Sequence, residues 1–81
     1  MASRFISTFV AENGDSWRFE YDHDTGQGIV TGSDIDADER YKVIEGVAND
    51  LVMDSEEKRW LLAAWEEATG RRSEFHDEIS A

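Results

Sequence analysis

The stretch Asp54-Ser-Glu-Glu-Lys-Arg-Trp-Leu-Leu-Ala-Ala-Trp-Glu-Glu-Ala-Thr-Gly70 decides the fold. Trp60, Leu61, Ala64, Trp65 and Ala68 recur at the spacing of one helical face, and Leu62 widens that face. Asp54 or Ser55 stands at a cap position, and Glu57, three residues after Asp54, completes a capping box. Gly70 ends the helix as its C′ residue, with Arg71 and Arg72 at the negative end of the dipole. Trp60 and Trp65 carry a large apolar area that water does not host. A core centred on Trp60–Ala68 follows, and the rest of the chain must cover it.

The chain has 81 residues, enough for one domain spanning 1–81 with little room for a deep cavity. Its 40% apolar content predicts a folded chain. There is no cysteine, which excludes a disulfide framework and thiolate metal sites and leaves stability to the aromatic core. No apolar run reaches the length of a membrane span, and Met-Ala-Ser-Arg lacks a signal peptide's apolar segment. A soluble, intracellular (cytoplasmic) protein is expected.

Upstream of the helix, the period is two. Arg4–Glu12 alternates Phe5, Ser7, Phe9 and Ala11 with Ile6, Thr8, Val10 and Glu12, which predicts a strand. Both of its sides are partly apolar, as for a strand with more than one neighbour. Asn13-Gly14 is the strongest short-range hairpin signal and suits a type I′ turn, unless Asp15 and Ser16 lengthen the loop. Ser16–His23 sets Trp17, Phe19, Tyr21 and His23 against Arg18, Glu20 and Asp22, a half-buried strand with a charged outer face. Gly26 and Gly28 serve the next reversal, and Ile29–Thr31 makes a third strand. The result is an antiparallel meander whose aromatic face needs a cover.

Asp36 then reads as an N-cap, with Glu39 completing its box. Tyr41, Ile44, Val47, Ala48 and Leu51 fall at helical spacing, which predicts a first helix from about Ala37 to about Asp50. Gly46 inside it costs roughly 1 kcal/mol relative to alanine, or lets another element come close. Leu51-Val-Met53 is an apolar connector pinned to the core. Residues 1–3 and 73–81 are the looser ends; Phe75 and Ile79, four apart, allow one more helical turn or fraying. The predicted class is α+β: a three-stranded antiparallel meander packed against two helices.

Catalytic motifs are weak. Asp34, Asp36, Asp38 and Glu45 occupy positions 1, 3, 5 and 12 of a calcium-loop pattern, but Glu39 stands where that loop needs glycine. The helix start explains Asp36 and Glu39 without a metal. His23 reads as a hydrogen-bonded side chain on the aromatic side of its strand, and it shares no metal-ligand spacing with His76. The serines belong to strand, turn or cap contexts, none of them a Gly-x-Ser-x-Gly elbow. Glycines 26, 28 and 32 do not form a phosphate loop. Trp17, Phe19 and Tyr21 lack the basic surround of a base-stacking sheet. No enzyme activity, cofactor or resident metal is predicted.

The outlying feature is charge. Nineteen acids against eight bases give −11, spread from Glu12 to Glu78. Such a surface repels nucleic acid and anionic lipid and attracts basic protein surfaces. Glu20 and Asp22 share one strand face at a spacing of about 6.6 Å. With Asp34, Asp36, Asp38, Glu56, Glu66 and Glu67 they form the candidate partner-binding set, of which Asp36 also has a capping role. A rigid array of carboxylates presents charge at intervals comparable with a nucleic-acid backbone and suits a Lys/Arg groove made for DNA. The alternatives are salt adaptation, since lysines number two, Lys42 and Lys58, against six arginines, and a calcium-binding domain using Asp34–Glu45.

In size, pervasive acidity and a meander-plus-helices plan, the chain resembles phage-encoded inhibitors of host defence, particularly anti-CRISPR proteins. The resemblance spans the whole chain and rests on no diagnostic motif, so no functional residue is carried across. It implies an inhibitor that binds a CRISPR effector complex in the host cytoplasm and blocks its access to target DNA.

Overall fold

The structure, a computed structural model, describes residues 4–32 and 40–80. It is α+β. Four strands, β1 (Arg4–Val10), β2 (Ser16–Asp22), β3 (Gln27–Gly32) and β4 (Tyr41–Val43), form one antiparallel sheet in the order β1-β2-β3-β4. Two helices follow, α1 (Ser55–Thr69) and α2 (His76–Ser80). The shortest dimension, 19 Å, accommodates two layers, sheet and helix.

The register sorts every strand residue onto one of two faces. Phe5–Tyr21–Gly28–Val43, Ser7–Phe19–Val30–Tyr41 and Phe9–Trp17–Gly32 are the rows of the inner face. Phe19 and Val30 are fully buried there. The glycines of β3 make room for rings: a Cβ at Gly28 would lie 2.9 Å from Phe19, and one at Gly32 would lie 2.7 Å from Trp17. Helix α1 closes this face with Leu61, Ala64, Trp65 and Ala68, as the periodicity predicts. Each large side chain so buried is worth about 1.5–3 kcal/mol. The ends of α1 are also as expected. Asp54 and Glu57 form the reciprocal capping box, and Gly70 is left-handed at φ +70° with its N–H donated to Glu66 O.

Three hydrogen bonds fix α1 over the sheet. Trp17 Nε1 donates to Oε2 of Glu57, a carboxylate only 4% exposed. Trp60 Nε1 donates to Ser7 Oγ at 3.1 Å, while its ring stacks on Phe9 at 5.5 Å. At the far end, His23 Nε2 donates to Ala68 O at 2.9 Å.

The helix predicted over Ala37–Asp50 is absent across the described part of that range. Tyr41–Val43 is a strand on the free edge of β3, and the capping pair Asp36 and Glu39 lies outside the described residues. The local cause is Gly46. With Glu45 at φ +52° and Gly46 at φ +82°, the chain reverses between Ile44 and Val47, whose backbones exchange bonds of 2.9 and 3.0 Å. Positive φ at both central residues is the type I′ form, and no helix accommodates it. Gly46 also meets Leu62 of α1, where a Cβ would lie 2.8 Å from Cδ1. Beyond the turn, Ala48 and Met53 are buried, Leu51 is half-buried, and Val52 stands 95% exposed.

Two further expectations change. Asn13-Gly14 does not make a type I′ turn. Only Gly14 has positive φ (+93°), and Ala11 and Asp15 close a three-residue loop in which Gly14 N–H donates to Ala11 O. Nor does β1 have two neighbours among the described residues: it is an edge strand paired with β2, and its outward residues Ile6 and Val10 are 48% and 67% exposed.

The two turns predict different responses to alanine. Gly14→Ala meets open space and incurs only the conformational cost of the left-handed region, about 1–2 kcal/mol. Gly46→Ala adds the collision with Leu62 and should lose about 2–3 kcal/mol in all. Thermal melts should place Gly46→Ala at least about 4 °C below Gly14→Ala.

Candidate functional site

Helix α1 packs on the inner face of the sheet, and among the described residues no helix covers the outer face. Its rows are Arg4–Asp22–Gln27, Ile6–Glu20–Ile29–Lys42 and Thr8–Arg18–Thr31. Glu20 and Asp22 therefore share a face, as the period of two requires. The surround was not foreseeable from their own strand. Glu20 lies between two guanidiniums, 2.7 Å from Arg18 and 3.8 Å from Arg4. Asp22 accepts the N–H of Asp24 at 2.8 Å, within its own turn. Arg40 lines the same shallow groove as Arg4, Glu20 and Asp22. Four of the chain's eight cations, Arg4, Arg18, Arg40 and Lys42, thus meet two carboxylates on this face among the described residues. Among the described residues it is the cationic side of an acidic protein.

The helical side has the opposite balance. From Asp50 to Ser80 the chain carries nine acids, Asp50, Asp54, Glu56, Glu57, Glu66, Glu67, Glu74, Asp77 and Glu78, against Lys58, Arg59, Arg71 and Arg72. Glu57 is consumed inside, by Trp17 Nε1 and by Asp54 N–H at 2.9 Å. Of the expected partner-binding residues, Glu56 and Glu67 are exposed on α1, whereas Asp34, Asp36 and Asp38 lie outside the described residues.

Glu66 has an internal task. Its carboxylate accepts the N–H of Ser73 at 2.8 Å and His76 Nδ1–H at 2.8 Å. Ser73, 3% exposed, passes its own hydroxyl to Glu45 O and accepts Phe75 N–H at 3.0 Å. This clip holds the chain after Gly70 against both α1 and the Glu45–Gly46 turn, and α2 follows from it. Arg71 reinforces the clip, lying 5.3 Å from the Trp65 ring centroid and 3.5 Å from Glu45. Glu45, the last position of the calcium-loop pattern, therefore faces an arginine. Among the described residues, no three His, Asp or Glu side chains converge as metal ligands.

Sequence reasoning missed Ser73 and the reach of Glu57 to Trp17. The Asp54–Glu57 spacing was the one available sign of the latter. Comparison with protein-family models, with curated proteins and with solved structures returned no match.

The Ser73 N–H, then His76, hold the Glu66 carboxyl below its ordinary pKa of 4.5. Its contribution to stability is therefore complete above that value and is lost as pH falls through the lowered one. Acid should loosen residues 73–80 through this group. Glu66→Gln should flatten the acid limb of the thermal midpoint against pH and expose the Ser73 and His76 amides to exchange at neutral pH.

Proposed function

We propose that the protein is a small inhibitor that acts by stoichiometric binding, without turnover, to a basic nucleic-acid-binding partner of the kind a CRISPR effector complex presents. The observation that carries this reading is the division of charge, among the described residues, between the two sides of the molecule. Seven of the nine acids between Asp50 and Ser80 are exposed: Asp50, Asp54, Glu56, Glu67, Glu74, Asp77 and Glu78. They ride on elements fixed by the core and by the Ser73 clip. A rigid acidic side loses little entropy on docking, and its field steers it toward a Lys/Arg groove. Occupying such a groove excludes DNA by competition for the same cations.

The helical side is the contact surface in this proposal, with Glu56 and Glu67 at its centre. Glu20 and Asp22 are secondary because Arg4 and Arg18 offset Glu20 and the face around them is cationic. Among the described residues, no helix is long and apolar enough to cross a membrane. The site of action we propose is the cytoplasm of the partner's cell.

Competition against target DNA on a purified, guide-loaded CRISPR effector complex tests the reading. The protein should displace DNA at stoichiometric excess and lose this effect as salt screens the charges. Glu56→Lys with Glu67→Lys should weaken inhibition at least tenfold, about 1.4 kcal/mol, with the thermal midpoint nearly unchanged. Lysines at Glu20 and Asp22 should weaken it less. Undiminished DNA binding at low salt overturns the proposal for that partner.

A further inference from the structure

The two edges of the sheet are unequal. At β4 the edge is three residues long, bears Lys42 and is followed at once by the Ile44–Val47 reversal, features that discourage pairing. At β1 it is seven residues long, and Phe5 to Ala11 contains no charge, glycine or proline. An uncharged, β-branched and aromatic edge is a template for another strand.

The backbone of β1 is oriented for that use. Ala11 N–H donates to Asp15 O, so Ala11 and Asp15 are a bonded pair. Bonded pairs alternate along an antiparallel ladder, which assigns Phe5, Ser7 and Phe9 to β2. Arg4, Ile6, Thr8 and Val10 turn their N–H and C=O groups to the free edge.

We propose that this edge pairs with a second copy of the chain, antiparallel about a two-fold axis at Thr8, to give one continuous eight-stranded sheet. Of the registers that the free groups allow, this one matches side chains best. It sets Ile6 opposite Val10 of the second copy, the two outward apolar residues at 48% and 67% exposure. The same register brings Arg4 against Glu12 at the second copy's turn, joining opposite charges. On the inner face it sets the half-buried Phe9 beside Ser7, and Phe5 beside Ala11. Moving the axis to Ser7 sets Arg4 against Val10 and Ile6 against Thr8, and both matches are lost. The proposal rests on the edge of β1 and is independent of what the acidic side binds.

Sedimentation equilibrium of the full chain from about 1 µM to about 1 mM tests it. The weight-average mass should rise from 9.2 kDa toward twice that value. Because each copy carries −11, added salt should favour the dimer, the opposite of its effect on a basic partner. Thr8→Lys places two ammonium groups on the axis while Thr8 is exposed in the single copy, and should weaken dimerisation at least about tenfold. Arg4→Glu should also weaken it, and Glu12→Arg in the same chain should restore it. Circular dichroism of each variant at low concentration reports whether the single copy is intact. A constant mass of 9.2 kDa throughout, or a dimer indifferent to Thr8→Lys and to the charge exchange, overturns the proposal.

Discussion

The bond from the Trp17 indole to the Glu57 carboxylate is the constraint on which the rest of the structure depends. It joins the middle strand of the β1–β3 meander to the first turn of α1, across forty positions of sequence. A carboxylate 4% exposed is tolerable only where hydrogen bonds replace water. Glu57 meets that condition with one oxygen on Trp17 and the other on Asp54 N–H. The capping box is thereby part of the core. Severing it would leave two donors unsatisfied at once, each at a cost of about 1–3 kcal/mol. Trp60 on Ser7 and His23 on Ala68 O then set the lateral position and the far end of the helix. With three attachments along its length, α1 has one place to lie. The orientation of every surface acid it carries follows.

The parts legible in the sequence are those in which local signals agree with one another. In α1, periodicity, capping box and terminal glycine all point to one helix, and its core face follows from the periodicity. The first two strands were readable from alternation, and the third from the short run Ile29–Thr31 after the glycine turn, although β3 begins earlier, at Gln27. Residues 41–51 were not, because two periods coexist there: Tyr41, Ile44, Val47, Ala48 and Leu51 fit a helix, and Tyr41 with Val43 fits a strand. The unpaired edge of β3 and the contact of Gly46 with Leu62 decide between them, and both are distant in sequence. The Asn13-Gly14 dipeptide misleads for a related reason. It is compatible with several turns, and Ala11 pairing with Asp15 selects the longer one.

The candidate site divides the same way. That Glu20 and Asp22 share a face follows from the period of two. That the face is cationic depends on strand order, which brings Arg4 and Lys42 into the rows beside them. Exposure of Glu56 and Glu67 follows from their place opposite the α1 core stripe. Glu66 lies on the same helix, but the chain reversal after Gly70 carries Ser73 and His76 back to it. Composition located the charge, whereas topology separated that of the described residues into two sides.

That separation explains how an uncharged edge persists in so acidic a protein. Electrostatic repulsion between copies acts over about a Debye length, roughly 8 Å in physiological salt. It opposes random encounters in any orientation. Edge pairing sets the outer faces, with Arg4 on β1 and Arg18 on β2, side by side on one side of the continuous sheet, and the helical layers side by side on the other. On the outer side, the local field at the edge is thus milder than the net charge implies. An edge of this kind is selective: a second β1 offers the same apolar pair and the complementary charge, whereas an arbitrary acidic strand would offer Arg4 a partner and Ile6 and Val10 none. The same argument limits nucleic acid as an occupant of the outer face, because the cations there number four and Glu20 already engages two of them.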